Sequence, residues 1–360
     1  MSLSIGIVGL PNVGKSTLFN ALTDNDILAA NYPFATIEPN TGIIAVPDDR
    51  LTVLQKMYSA AKVIPAAVTF VDIAGLVAGA SKGEGLGNRF LANIRECDAI
   101  VHVVRAFEND DITHVENSVD PQRDIETINT ELILADIQTL DNVVSRLERE
   151  AKARPAAREE LSLVQDLRQK LNDGELASTH VKPDDIFIKQ LQLLTAKPMI
   201  FVFNVDEALL GEAEQQAKLR DLIAPSEAVF ICAKLEEELR GLAEADAAEL
   251  LDAYGVTESG LDKLARVAYE TLGLQSYLTA GPKEVRAWTI KQGSTAPQAA
   301  GVIHTDFEKG FIAAQVVDYD DLITAGSEVA AKAAGKMRTE GRDYIMRPGD
   351  VVEFRFNVSK

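Results

Sequence analysis

Cysteine is scarce in this chain of 360 residues: only Cys97 and Cys232 occur, each inside an apolar run. Two such residues point to buried free thiols rather than a disulfide or metal ligation, and a reducing compartment is expected. Long hydrophobic stretches are also missing. No segment reaches the roughly 18 unbroken apolar residues that a membrane span needs, which excludes a transmembrane helix. Residues 1–9 run straight into a strand-like pattern with no basic region ahead of a long apolar stretch, so no secretory leader and a cytoplasmic location are expected. No internal repeat or low-complexity tract stands out from a globular composition of 46% hydrophobic and 25% charged residues.

Positive charge is in short supply, with 36 Lys and Arg against 55 Asp and Glu and a net charge of −19. An acidic surface repels polyphosphates, so broad nucleic-acid binding is disfavoured and DNA is not an expected partner. The shortfall is uneven. Residues 278–360 hold 11 basic and 11 acidic side chains, which leaves 25 against 44 in residues 1–277. Within the balanced C-terminal stretch, Lys332, Lys336, Arg338 and Arg342 have only Glu340 between them. This permits a local basic patch, although solvated surface charge is the plainer reading.

A chain of this length divides into two or three domains. Apolar runs at 3–8, 67–73, 99–104, 198–203 and 228–233 read as buried parallel strands, and helical stretches at 15–22 and 88–96 alternate with them. That alternation predicts an α/β fold, a doubly wound and mainly parallel sheet with ligands at the carboxyl ends of its strands. Ile125, Ile128, Leu132, Ala135, Leu140, Val143 and Leu147 then recur at helical spacing. They are followed by a Pro155-containing turn and a second stripe through Leu161, Val164, Leu167 and Leu171. An antiparallel, self-packed helical hairpin accounts for both stripes. Past Gly281-Pro282 the pattern becomes strand-like at 285–290, 311–317 and 351–356. The expected organisation is a nucleotide-binding domain over 1–122 and 196–277, a helical insertion over 123–195 and a small β-rich domain over 278–360.

Gly9-Leu10-Pro11-Asn12-Val13-Gly14-Lys15-Ser16 satisfies the G-x-x-x-x-G-K-[ST] pattern between a strand and a helix. The glycines let backbone N–H groups of Asn12, Val13, Gly14 and their successors through Thr17 wrap phosphate oxygens at a helix N-terminus. Lys15 reaches the β- and γ-phosphates, and Ser16 ligates Mg²⁺. Asp72-Ile73-Ala74-Gly75 ends the next strongly apolar run, placing Asp72 for a second Mg²⁺ contact and the Gly75 N–H for the γ-phosphate. The four glycines of Gly79-Ala80-Ser81-Lys82-Gly83-Glu84-Gly85-Leu86-Gly87 predict a mobile switch loop. In the polar-aromatic loop Asn31-Tyr32-Pro33-Phe34-Ala35-Thr36, Thr36 is a candidate to complete Mg²⁺ coordination when a γ-phosphate is present.

After the run at 198–203 comes Asn204-Val205-Asp206-Glu207, where a guanine-specific P-loop protein carries Asn-Lys-x-Asp. The final Asp of that motif accepts from guanine N1–H and the N2 amino group, and Glu207, one methylene longer, need not reach the same place. Guanine selectivity should suffer, and adenine, whose edge pairs one donor with one acceptor, becomes the favoured base.

Taken together, the P-loop, residues 31–40, Asp72-Ile73-Ala74-Gly75-Leu76-Val77 and Asn204-Val205-Asp206-Glu207 closely resemble the YchF or Obg-like ATPases over essentially the whole chain. The resemblance implies a GTPase-type domain interrupted by a helical insertion and followed by a ubiquitin-like (β-grasp) TGS domain. It also implies an ATPase that prefers ATP to GTP, binds the ribosome through RNA or a ribosomal protein, and acts in translation or a stress response. By the same resemblance, Leu76 replaces the glutamine that orients water, His114 on a loop takes over that task, and Phe107 packs on the adenine face. Asn12 resembles the asparagine that helps hold K⁺ in related enzymes. Asp206 adds a carboxylate near the base pocket, and Cys232-Ala233-Lys234 stands where many relatives have Ser-Ala-Lys. Two other readings remain: a guanine-nucleotide switch in which Glu207 substitutes for Asp, and a ribosome-binding module whose turnover is vestigial.

Overall fold

In the computed structural model, residues 3–23, 40–73, 86–109, 118–182 and 185–357 are described. The chain divides into two compact units. The described residues within 1–25, 36–42 and 69–264 form one, and those within 43–68 and 265–360 form the other.

The strands, in chain order, are β1 (Ser4–Val8), β2 (Thr41–Ala45), β3 (Val63–Ile64), β4 (Ala67–Asp72), β5 (Ala99–Arg105), β6 (Met199–Asn204) and β7 (Glu227–Ile231). They continue with β8 (Leu274–Ala280), β9 (Val285–Lys291), β10 (Phe311–Asp318), β11 (Arg338–Glu340) and β12 (Asp350–Phe356). The first sheet runs β2-β4-β1-β5-β6-β7. Its pairings β1–β4, β1–β5, β5–β6 and β6–β7 are all parallel. Each apolar run predicted to be a buried strand is one: Ile5, Ile7, Val8, Val101, Val104, Ile200 and Phe203 are fully buried. From β1 the strand order departs to β4 on one side and β5 on the other, so the carboxyl end of β1 lies at a topological switch point.

The hairpin consists of helices Pro121–Glu150 and Ala156–Asn172, the first capped by Asp120, whose side chain accepts from Arg123 N–H. The two stripes meet in one core through Leu140, Leu147, Val164, Leu167 and Leu171. Asp136, fully buried, anchors the long helix to the segment ahead of β6. Its carboxylate accepts from Leu194 N–H at 2.8 Å, Thr195 N–H at 2.8 Å and the Thr195 hydroxyl at 2.6 Å. These three donors offset a burial that pushes the carboxyl pKa upward. Both cysteines are free and buried, as their apolar surroundings predict.

The second unit is built on the sheet β11-β10-β12-β8-β9-β3. Antiparallel pairs β10–β11, β10–β12 and β8–β9 combine with the parallel pairs β12–β8 and β3–β9. Its core gathers Tyr277, Ile290, Ala296, Ala300, Phe311, Val316 and Val352. Two features differ from the sequence-based limits. β8 begins at Leu274 and runs across residue 278, and residues 43–68 join this unit. The second arises because β3 pairs Val63 with Val285 and Ile64 with Arg286, while Arg50 donates to the Pro348 carbonyl at 2.5 Å. The basic cluster is largely engaged within the unit: Lys336 pairs with Asp321 at 3.0 Å, Arg338 with Glu340 at 3.3 Å, and Arg342 donates to the Phe311 carbonyl at 3.3 Å.

Candidate nucleotide site

β1 delivers the chain to Gly9, where a Cβ would stand 2.6 Å from the Val103 carbonyl oxygen of β5, so only glycine lets the loop leave the sheet here. The loop then turns through two left-handed residues, Asn12 at φ 63° and Gly14 at φ 92°, before the helix Lys15–Thr23 begins. Val13 is buried, whereas Ser16 and Thr17 are exposed and Lys15 is half-buried. Backbone donors at a helix start with exposed hydroxyls beside them form a cradle for an anion.

The other strand ends converge on that edge. Asp72 lies in register with Ile7 of β1, and its amide donates to the Asn40 carbonyl at 2.8 Å. Its Oδ1 is buried and has no hydrogen-bond partner among the described residues. An orphaned carboxylate oxygen is costly unless a cation or donor completes it, so the residues present fit a hard divalent ion at this point.

Asn204, buried at the end of β6, ties three segments together. Its Nδ2 donates to the Val13 carbonyl at 3.0 Å, its Oδ1 accepts from Ala233 N–H at 3.4 Å, and its backbone carbonyl accepts from Ala106 N–H at 2.8 Å. The amide therefore braces the phosphate loop against the segment following β7. Val205 is buried and donates its N–H to the Ile231 carbonyl at 2.9 Å. Asp206, whose extra carboxylate stands beside the expected base pocket, caps the helix Glu207–Leu210 by accepting from Leu209 N–H at 3.0 Å. Glu207 accepts from Lys234 Nζ at 2.6 Å.

Phe107 follows β5 and is half-buried, with the Arg105 guanidinium carbon 4.5 Å from its ring centroid. Arg105 is itself buried and donates to the carbonyls of Phe107 at 3.1 Å and Asn109 at 3.2 Å. The sequence pattern hides this arginine because it ends an apolar run, where a charged residue ordinarily marks the surface. Arg105 sets the course of the chain carrying Phe107. Thr36, Gly75, Leu76 and His114, together with 79–85 of the expected switch loop, lie outside the described residues. Leu86 and Gly87, expected in that loop, belong instead to the helix Leu86–Glu96.

One titratable group sits on the helix that follows β7. Glu236, on the helix Ala233–Leu239, is buried and accepts from Gly260 N–H at 2.6 Å, and burial pushes its carboxyl pKa up to about 7. An unfolded chain ionises it near 4.5. Between those values the folded protein holds a proton that the unfolded chain has lost, so stability falls as pH rises through the window and levels off above it. Glu236→Gln removes that charge. The stability of the variant relative to the parent should grow by about 2 kcal/mol between pH 5 and pH 8 in urea unfolding. An equal difference at both pH values would contradict the assignment.

A glycine-bent anion loop at a sheet switch point, with an acidic strand end beside it, defines the class as a P-loop nucleoside-triphosphate-binding protein. Similarity to known proteins narrows that class. A family model described as 50S ribosome-binding GTPase matches residues 4–135, and the YchF-GTPase_C model, described as a protein of unknown function, matches 274–357. The chain is 52% identical to the ribosome-binding ATPase YchF of Haemophilus ducreyi over 99% of its own length and 100% of that relative. It is 44% identical to Obg-like ATPase 1 of Rattus norvegicus, covering 99% of this chain and 93% of the other. The structure of the Schizosaccharomyces pombe YchF GTPase superposes with a TM-score of 0.87 at 39% identity, covering 98% of each chain. The chain belongs to the YchF family.

Proposed function

We propose that this protein is a Mg²⁺-dependent ATPase that binds the ribosome from the cytoplasm, its nucleotide state setting its grip on that partner. The observation that carries the choice of base is the engagement of the segment following β6. Asn204 braces the phosphate loop, Asp206 caps a helix and Glu207 is paired with Lys234, so each carboxylate of this segment already has one oxygen engaged and is the poorer acceptor for the two donors of guanine. Ribosome binding is supported by relatives that carry that activity in their names over the full chain length.

In this reading Asn12, Val13, Gly14, Lys15, Ser16 and Thr17 hold the triphosphate, while Phe107, Asn204, Val205 and Glu207 surround the base. Ser16, Thr36 and Asp72 hold Mg²⁺, which neutralises charge on the phosphate oxygens when bound. Gly75 offers its N–H to the γ-phosphate, and His114 orients water in place of the apolar Leu76. Asn12 helps to seat K⁺, so turnover in KCl should exceed that in NaCl. The C-terminal segment that opens with β8 at Leu274 serves as a TGS domain, and the hairpin between 123 and 195 is a second contact surface.

Cosedimentation with purified ribosomes tests the functional reading. The bound fraction should differ at least severalfold between ADP and a non-hydrolysable ATP analogue. Equal binding with either nucleotide, or with none, would favour a docking module over a switch.

A further inference from the structure

The position at which a guanine-reading protein carries Asp is filled here by Glu207, one oxygen of which is already engaged by a cation. Lys234 reaches it from the start of the helix Ala233–Leu239, at 2.6 Å, and the same ammonium lies 4.0 Å from Glu238. The Glu207 hydrogen bond is the leading influence raising the Lys234 pKa above its ordinary value, so the lysine stays charged at neutral pH. The remaining polar side chains of the segment are used elsewhere, Asn204 toward Val13 and Ala233, and Asp206 toward Leu209.

We propose that Lys234 is a specificity-determining residue: by engaging one oxygen of the Glu207 carboxylate it weakens the paired acceptor that guanine would use, and so biases the site toward adenine. The inference rests on the reading of ATP as the favoured nucleotide. Guanine presents N1–H and an N2 amino group, both donors, to a carboxylate at this position. Adenine offers a donor and a lone pair, and the lone pair gains nothing from a carboxylate. With Lys234 on Oε1, GTP must share the Glu207 carboxylate with the ammonium to set both of its donors on it, whereas ATP makes no such demand.

The pair is exposed, with side-chain accessibilities of 69% for Lys234 and 31% for Glu207. Exposed pairs are weak, so the bias from this contact is severalfold, not orders of magnitude. It adds to whatever selectivity the added methylene of Glu207 already imposes.

The test measures dissociation constants for ATP and GTP by calorimetry on four full-length proteins: the parent, Lys234→Met, Glu207→Gln and the double variant. Methionine keeps an apolar stem of similar length while removing the ammonium. Lys234→Met should raise the affinity for GTP relative to ATP by about fivefold. The double variant should lose that gain, because a glutamine amide sets an NH2 donor where the carboxylate had its second acceptor oxygen and carries no charge. An unchanged ratio in Lys234→Met, or a gain that persists without the Glu207 carboxylate, would overturn the proposal. The parent protein's own preference separates the two readings. If it favours GTP, the choice of ATP fails, while the shift between parent and variant still decides the role of Lys234.

Discussion

Gly14→Ala is expected to weaken ATP binding by roughly a thousandfold, equivalent to about 4 kcal/mol. Gly14 sits at φ 92°, in the left-handed region, where a side chain costs about 1–2 kcal/mol of backbone strain. A Cβ at this position would also collide with the Asn204 amide nitrogen and lie 3.3 Å from its Cγ. Relief requires Asn204 to move, which leaves the Val13 carbonyl without its donor, at a further cost of about 1–3 kcal/mol. The collision thus falls on the brace that shapes the loop, and the loop's N–H groups lose their common focus on a phosphate. Calorimetric titration with ATP checks the affinity, and thermal unfolding of the same sample checks that the sheet persists. Parental affinity in Gly14→Ala would mean that this loop does not hold the triphosphate.

Lys15→Ala should reduce turnover at saturating ATP by at least about a thousandfold, while a folded protein is recovered. Lys15 opens the helix Lys15–Thr23 and is half-buried at the loop. In the proposed function its ammonium is the mobile positive charge that this loop adds to fixed backbone dipoles, placed to act where negative charge accumulates during γ-phosphoryl transfer. Removing it takes away stabilisation that grows along the reaction, so kcat should fall more than ATP affinity does. Single-turnover hydrolysis with excess enzyme separates the two effects. Hydrolysis within tenfold of the parent would place the catalytic engine elsewhere.

Much of the nucleotide-binding unit was legible in the sequence because its signals are local. Five apolar runs became β1, β4, β5, β6 and β7, and the helical stripes of the hairpin found each other across a turn near Pro155. The P-loop was equally plain, since every residue type in it is demanded by the geometry of its own few residues. Less visible were pairings at long range. β3 has two residues, and its partner β9 lies more than two hundred positions away, so nothing in residues 43–68 announces that they fold with the second unit. β2 alternates about Gly42, and β11 has only three residues, too short for a period-two pattern to emerge.

At the site, the sequence singled out Asn204 and Glu207 as candidates for reading the base, but not what engages them. That Asn204 spans from Val13 to Ala233 and that Glu207 is held by Lys234 depend on contacts between distant segments, whereas the Asp206 helix cap is a local contact with Leu209. Arg105 was hidden for a different reason. Its burial depends on the carbonyls of Phe107 and Asn109, which no hydrophobic pattern encodes.

In the proposed function, a GTPase-like fold has been turned toward adenine at the segment following β6. Dissociation constants of the nucleotide-free protein for ATP and GTP, measured side by side in buffer containing Mg²⁺ and K⁺, test it most directly. ATP should bind clearly more tightly; tighter binding of GTP would make this protein a guanine-nucleotide switch.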